Sequence, residues 1–190
     1  ESSRIVLNIG GISNVTYLPA GASLEDVRAF DVGPGNMIID EVVWRLTDGA
    51  QSFDQDGQMA AAGVTHAGLL AELMDHPFIK HSPPKSAGRE EFGQQFVDQV
   101  MARSEALGVA GQDLVATVTE FTAEAIALNC RTHFQRIDEL IAGGGGAYNR
   151  TLMGMLQSKL GGAKVSTTED YGVPIDAKEA MGFAFLGYQT

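Results

Sequence analysis

Cysteine is almost missing from this 190-residue chain: Cys130 is the single one. One thiol builds no disulfide framework and points to a reducing compartment. The four histidines, His66, His76, His81 and His133, contain no H-E-x-x-H pair, and with a lone cysteine beside them they argue against a zinc site. Long apolar runs are missing as well. None approaches the roughly 20 residues of a membrane helix, and the N-terminus lacks a signal-peptide pattern. Basic charge is scarce: 13 Lys and Arg stand against 24 Asp and Glu, a formal net charge of -11. That deficit speaks against a nucleic-acid partner, whose phosphates call for clustered Lys and Arg. It does not exclude a nucleotide, because the amides of a glycine loop hold phosphates without lysine. The expectation is a cytoplasmic globular chain with no membrane partner, able to bury one good core or two small ones.

Familiar catalytic signatures are missing too. Gly88 to Gly93 has the glycine spacing of a Walker A loop, but Gln94 stands where lysine is required. No G-x-G-x-x-G or G-x-S-x-G stretch occurs, which removes the Rossmann fingerprint and the nucleophile elbow.

Glycine is what the chain has in quantity, 23 in all, gathered between periodic segments rather than spread as low complexity. Asn8-Ile9-Gly10-Gly11-Ile12-Ser13-Asn14 lies between Ile5-Val6-Leu7 and Val15-Thr16-Tyr17-Leu18, two runs that read as strands of a hairpin. Paired glycines let backbone N–H groups approach a ligand, and Ser13 and Asn14 add side-chain hydrogen bonds. An ordinary tight hairpin fits the same stretch. Two further glycine loops favour the ligand reading. Val27 to Phe30 is a third strand, broken by Asp31-Val32-Gly33-Pro34-Gly35-Asn36, with Asn36 placed to cap a helix carrying Ile38, Ile39, Val42, Val43 and Leu46. Glu139 to Ala142 is a buried strand running into Gly143-Gly144-Gly145-Gly146-Ala147-Tyr148-Asn149 and another helix.

Between these loops, helices are expected over 58–74 (split at Gly63 or Gly68), 90–106 and 113–135. In the last of these Leu114, Val118, Phe121, Ala125 and Leu128 form one stripe. His76 to Ser86 is a long irregular segment, Lys164 to Thr167 a short strand, and Asp176 to Tyr188 a final helix. Three strands in a meander followed by alternating helices and strands predict an α/β fold, a mixed sheet with helices on both faces.

All three glycine loops fall at strand ends, where α/β sheets bind ligands. With this strand order they resemble the superfamily of sugar kinases, Hsp70 and actin, with its actin-like (ribonuclease H-like) ATPase lobes. A closer resemblance rests on segments in one order along nearly the whole chain. They are Asn8 to Thr16, Asp31 to Met37, Asp56-Gly57, His76-Pro77-Phe78, Pro83-Pro84-Lys85-Ser86-Ala87-Gly88-Arg89-Glu90, Gly143 to Asn149, and Lys178-Glu179-Ala180. The series is similar to the anhydro-N-acetylmuramic acid kinase family, and the Pro-Pro-Lys-Ser-x-Gly-Arg-Glu string is its most specific element.

The resemblance implies an ATP- and Mg2+-dependent enzyme of cell-wall recycling that opens the 1,6-anhydro bridge of an amino sugar with water and phosphorylates the freed 6-hydroxyl. It implies that Gly10, Gly11 and Asn14 approach the phosphates and that Gly33 and Gly35 shape the neighbouring loop. Gly144, Gly145 and Asn149 would face the adenosine, and Glu179 would lie near the sugar cleft. The metal ligands stay unassigned, since Asn8 stands where the superfamily often has a Mg2+-associated Asp. The resemblance also implies a homodimer and a two-lobed kinase with its first phosphate loop and catalytic aspartate in an N-terminal lobe. On that reading residues 1–190 are a single nucleotide-binding lobe, inactive alone, lacking the other lobe and the extreme C-terminus. Glu1, just before a strand, is the start expected of a piece of a longer protein.

Within this chain the candidate bases are Asp31, Asp40, Asp54, Asp56 and Glu179. Asp40 falls in a helix and reads as solvated, whereas Asp54 and Asp56 fit Asx turns. Arg89 fits either a bidentate phosphate contact or pairing with Glu90 and Glu91. Two other functions stay open: the same fold acting on another sugar or a phosphoanhydride, and a non-catalytic nucleotide-binding domain.

Overall fold

The computed structural model describes residues 2–189, the side chains of Glu179, Leu186 and Gln189 excepted. Alternation in the first segment puts Ile5, Leu7 and Ile9 on one buried face of β1 (Arg4–Ile9). β2 (Ile12–Leu18) returns antiparallel to it, and β3 (Arg28–Pro34) is antiparallel to β2. The ladder takes in Asn8, Ile9, Ser13 and Asn14, so the expected loop narrows to a turn at Gly10-Gly11. The strand alternation simply continues through its polar residues. β3 likewise runs on to Pro34, with a register shift at Ser13/Asn14 that accommodates the extra length.

α1 (Asn36–Leu46) follows at once, then α2 (Gln58–Ala62), α3 (Ala67–Met74), α4 (Pro77–Lys80), α5 (Arg89–Phe92), α6 (Gln94–Leu107) and α7 (Gly111–His133). The helix expected over 58–74 is two helices, parted after Ala62. The chain between them is bonded sideways to α7, where Val64 N donates to the Asp113 carboxylate at 2.7 Å and His66 N to Thr117 Oγ1 at 2.9 Å. The helix expected over 90–106 is likewise broken at Gly93. β4 (Glu139–Gly143), α8 (Arg150–Lys159), β5 (Lys164–Thr167) and α9 (Lys178–Gln189) complete the chain.

The sheet order is β3-β2-β1-β4-β5, with β1, β4 and β5 parallel. The meander and mixed sheet are those expected. α7 carries two cores. Its Ala123, Ile126, Ala127 and Cys130 pack on the sheet with Leu152 and Leu156 of α8. Leu114, Val118, Phe121 and Ala125 instead face the helices between β3 and α7. The predicted stripe is therefore core, and it is one of two buried faces. Cys130 lies fully buried, its thiol pushed up to about 12 by burial, and is chemically inert. α9 begins over the other face of the sheet, where Lys178 Nζ donates to Asn8 Oδ1 at 2.6 Å. Among the described residues no helix is long and apolar enough to cross a membrane.

Candidate functional site

The hairpin turn and the start of α1 interlock. Gly35 N donates to Gly11 O at 2.9 Å, Asn36 N to Gly10 O at 2.7 Å and Met37 N to Gly11 O at 3.2 Å. The contact is so close that a Cβ at Gly35 would lie 2.2 Å from Gly10 O, which no side chain survives. Gly35 is the N-cap, without a side-chain cap. Asn36 is the first helical residue rather than the cap, and its Nδ2 reaches Ile9 O at 3.5 Å. The first amides of α1 are thus taken by the turn's carbonyls.

The third glycine loop closes on the same strand end. Gly144 follows β4 at φ +80°, and a Cβ there would sit 2.8 Å from Ile9 O. Gly145 passes Asn36, and Asn149 caps α8 by accepting from Leu152 N at 2.9 Å. Of the other predicted residues, Asn14 sits within β2 opposite Asn8 rather than in the turn. Gly33 is buried in β3, its α-carbon turned toward Ile79 and Ala125. Gly10 and Gly11 form the turn itself. The Glu179 side chain lies outside the described residues.

A cavity of about 410 Å3 opens beside the third loop, within the size range of small-molecule sites. Three elements wall it: Asn36, Ile39 and Asp40 of α1, the segment from Phe53 to Asp56, and Gly145, Tyr148 and Asn149, with Asp176 at one side. The segment is fixed from below, since Thr151 Oγ1 donates to Gly57 O at 2.7 Å. Asp54 is buried and accepts from Met59 N at 2.8 Å and Ala60 N at 3.0 Å, holding the first turn of α2. That is the local-turn role anticipated for it. Asp56 lines the cavity at φ 54°.

Asp40 departs from expectation. It is not fully solvated: its carboxyl is partly buried where it lines the cavity, and burial first, then the Asp54 charge, raises its pKa to about 6. A helical pattern marks Asp40 as off the core face, but it cannot reveal that a later loop folds over that face. Phe53, Tyr148 and Asp176, which complete the cavity, carry no sequence signal of their own either. Lys178 on Asn8 is a further missed contact; its place within the Lys-Glu-Ala segment was the available hint.

The Pro-Pro-Lys-Ser string is a clamp on the free edge of β3. Asp31 N donates to Lys85 O at 3.2 Å, while Asp31 Oδ2 accepts from Ser86 Oγ at 2.9 Å and Ala87 N at 2.8 Å. Lys85 Nζ donates to Phe78 O at 3.0 Å and lies 4.7 Å from the Phe78 ring centre, and burial lowers its pKa to about 8. Beyond the clamp an open groove of about 910 Å3 runs from Gly11 and Met37 to Arg89 and Glu90. Arg89 forms no ion pair there among the described residues; Glu91 lies 3.7 Å from His76 instead. Among those residues no three His, Cys, Asp or Glu side chains converge on a metal position.

The fold is shared with solved structures of low sequence identity. The component A of (R)-2-hydroxyglutaryl-CoA dehydratase from Acidaminococcus fermentans aligns at TM-score 0.53 and 15% identity, over 86% of this chain and 54% of its own. The activator of 2-hydroxyisocaproyl-CoA dehydratase from Clostridium difficile, solved with bound ADPNP, aligns at 0.51 and 14%, over 86% and 53%. They place the chain in the actin-like ATPase fold. Relatives by sequence are closer. Anhydro-N-acetylmuramic acid kinases from Caldanaerobacter subterraneus subsp. tengcongensis, Salinibacter ruber and Bacillus cereus (strain G9842) are 47%, 44% and 46% identical. Those alignments cover 96%, 100% and 99% of this chain and 47%, 48% and 50% of the relatives, so the chain spans about half their length. The family model of anhydro-N-acetylmuramic acid kinase matches residues 1–190, the glycine turns, the clamp and the cavity segment included, and the chain belongs to that family.

Proposed function

We propose that this chain is the nucleotide-binding lobe of a cytoplasmic, two-lobed kinase that consumes ATP, water and 1,6-anhydro-N-acetylmuramic acid in cell-wall recycling. The products are ADP and the ring-opened sugar phosphorylated on its 6-oxygen. Water adds at the anomeric carbon as the anhydro bridge breaks, and the freed 6-oxygen takes the phosphoryl group. The observation that carries the reading is the meeting of all three glycine loops at one strand end, beside a cavity walled by the third.

The residues present suit a nucleoside. Ile39, Phe53 and Tyr148 offer apolar and aromatic surface, and Asn36 and the aspartates offer polar partners. With the helix amides engaged by Gly10 and Gly11, phosphate contacts fall to the rest of the turns and to the other lobe. Mg2+ sites commonly use one or two carboxylates plus substrate phosphates and water, so an all-protein cage is not required here. When bound, ATP-Mg2+ supplies the phosphoryl group and charge neutralisation.

For the base we favour Asp31 of this chain over the aspartate of the other lobe that the resemblance implied. Two donors hold its Oδ2 at 2.8 Å and 2.9 Å, which fixes the carboxylate while leaving Oδ1 to accept a proton. Asp54 is occupied by α2 amides, and Asp40 and Asp56 lie in the nucleoside cavity. Asp31→Asn in the full-length protein is expected to lower kcat by at least about 10²-fold with nucleotide affinity kept. The primary test is ADP release with 1,6-anhydro-N-acetylmuramic acid, run on this chain and the full-length protein. Turnover in the full-length protein alone supports the reading, and no turnover in either overturns the substrate. A homodimer formed by the full-length protein completes the proposal, and its mass in solution tests it.

A further inference from the structure

Two carboxylates of the nucleoside cavity, Asp40 and Asp56, hydrogen-bond to and ion-pair with no described residue, and Asp40 is the one fixed on a long helix. Asp40 sits one turn into α1, partly buried, and neither hydrogen-bonds nor ion-pairs with any described residue. Two other carboxylates around it are engaged. Asp54 holds Met59 and Ala60 amides, and Asp176 accepts from the Tyr148 hydroxyl at 3.1 Å. Asp56 shares the loop with Asp54, and among the described residues neither lysine nor arginine lines the cavity.

A partly buried carboxylate beside a second one is disfavoured in its ionised form, because partial desolvation and the like charge both act against it. Such an arrangement is common where a ligand completes the bonding. We propose that Asp40 is the specificity residue of this cavity, accepting a hydrogen bond from a donor on the bound nucleoside. Two donors have this chemistry: the 6-amino group of adenine and the ribose hydroxyls. A carboxylate rewards either one and repels the lone pair of a carbonyl put in its place, so it discriminates by penalty as well as by attraction. The inference rests on the nucleotide reading above and adds to it the residue that selects.

The test is equilibrium binding of four nucleotides to the full-length protein: ADP, the 6-oxopurine IDP, 2′-deoxy-ADP and 3′-deoxy-ADP. Wild type is expected to prefer ADP to at least one analogue by about tenfold or more, the scale of a charged hydrogen bond. Asp40→Ala is expected to weaken ADP by a similar factor and to bind that analogue as wild type does, so the preference disappears. Loss of the IDP preference identifies the amine, and loss of a deoxy preference identifies the hydroxyl. Asp40→Asn, closest in shape, carries the same test should the alanine variant fail to melt cooperatively; there the preference must shrink. Equal weakening of all four nucleotides by Asp40→Ala overturns the inference, because the residue then only shapes the cavity. Equal wild-type affinity for all four overturns it while leaving the nucleotide reading intact. Binding of none by wild type overturns both.

Discussion

Individual residues at this site are held in conformations that a small change disrupts. Gly144 has φ +80°, a region that L side chains avoid, and its missing Cβ lies against Ile9 O. Gly144→Val is expected to destabilise the protein by about 2 kcal/mol or more and to abolish nucleotide binding, read by melting and by calorimetry. Asp40 behaves in the opposite way. Its pKa rises from 3.8 unfolded to about 6 folded, so the proton it retains favours the native state below about pH 4, and that contribution is lost as pH rises through 6. Allowing for its partial exposure, the ionised group costs no more than about 2 kcal/mol at pH 7. Asp54, Asp56 and Asp176 share the cavity with it and do not relieve that cost. Asp40→Asn is therefore expected to be more stable than wild type at pH 7.5 by about 1–2 kcal/mol, with the gap closing toward pH 4.5 in urea titrations. A variant more stable yet poorer at binding is the usual mark of a functional position.

At the scale of elements, α7 decides how the chain behaves under load. Phe121 and Ile126 are fully buried on opposite sides of it, one in the helical core and one against the sheet. Phe121→Ala is expected to cost about 3–5 kcal/mol and Ile126→Ala about 2–5 kcal/mol. Because both cores share the helix, each variant should still unfold in one transition, followed by circular dichroism and fluorescence together. Two separate transitions would mean that the cores are independent. The clamp acts at the same scale. By accepting from Asp31 N, Lys85 O covers one of the edge-strand groups that would otherwise face solvent, and Ser86 and Ala87 hold it there by donating to the Asp31 carboxylate.

For the whole molecule, much of this arrangement was legible beforehand, and the reason is local. The meander follows from period-two alternation at Ile5, Leu7 and Ile9, and α7 from a stripe at helical spacing, because each pattern is completed within its own element. The glycine turns were legible because only glycine fits the approach at Gly35. Asp40 was not legible, since its burial is set by Phe53 to Asp56, a loop that returns over α1 from later in the chain. The parting of α2 from α3 was invisible as a boundary for a similar reason: the bonds that hold it, from Val64 and His66 to α7, reach across about fifty residues. Long-range contacts leave little trace in local periodicity. In Asn36, capping propensity named the right neighbourhood and the wrong position, because the backbone of Gly10 and Gly11 does the satisfying.

That interlock has a mechanical consequence. A hairpin tip made of two glycines would ordinarily flicker on nanosecond timescales. Here its carbonyls are the acceptors for the opening turn of α1, so the tip moves only when that turn unwinds. The turn is then a rigid fixture rather than a flap, and any closure around substrate has to come to it.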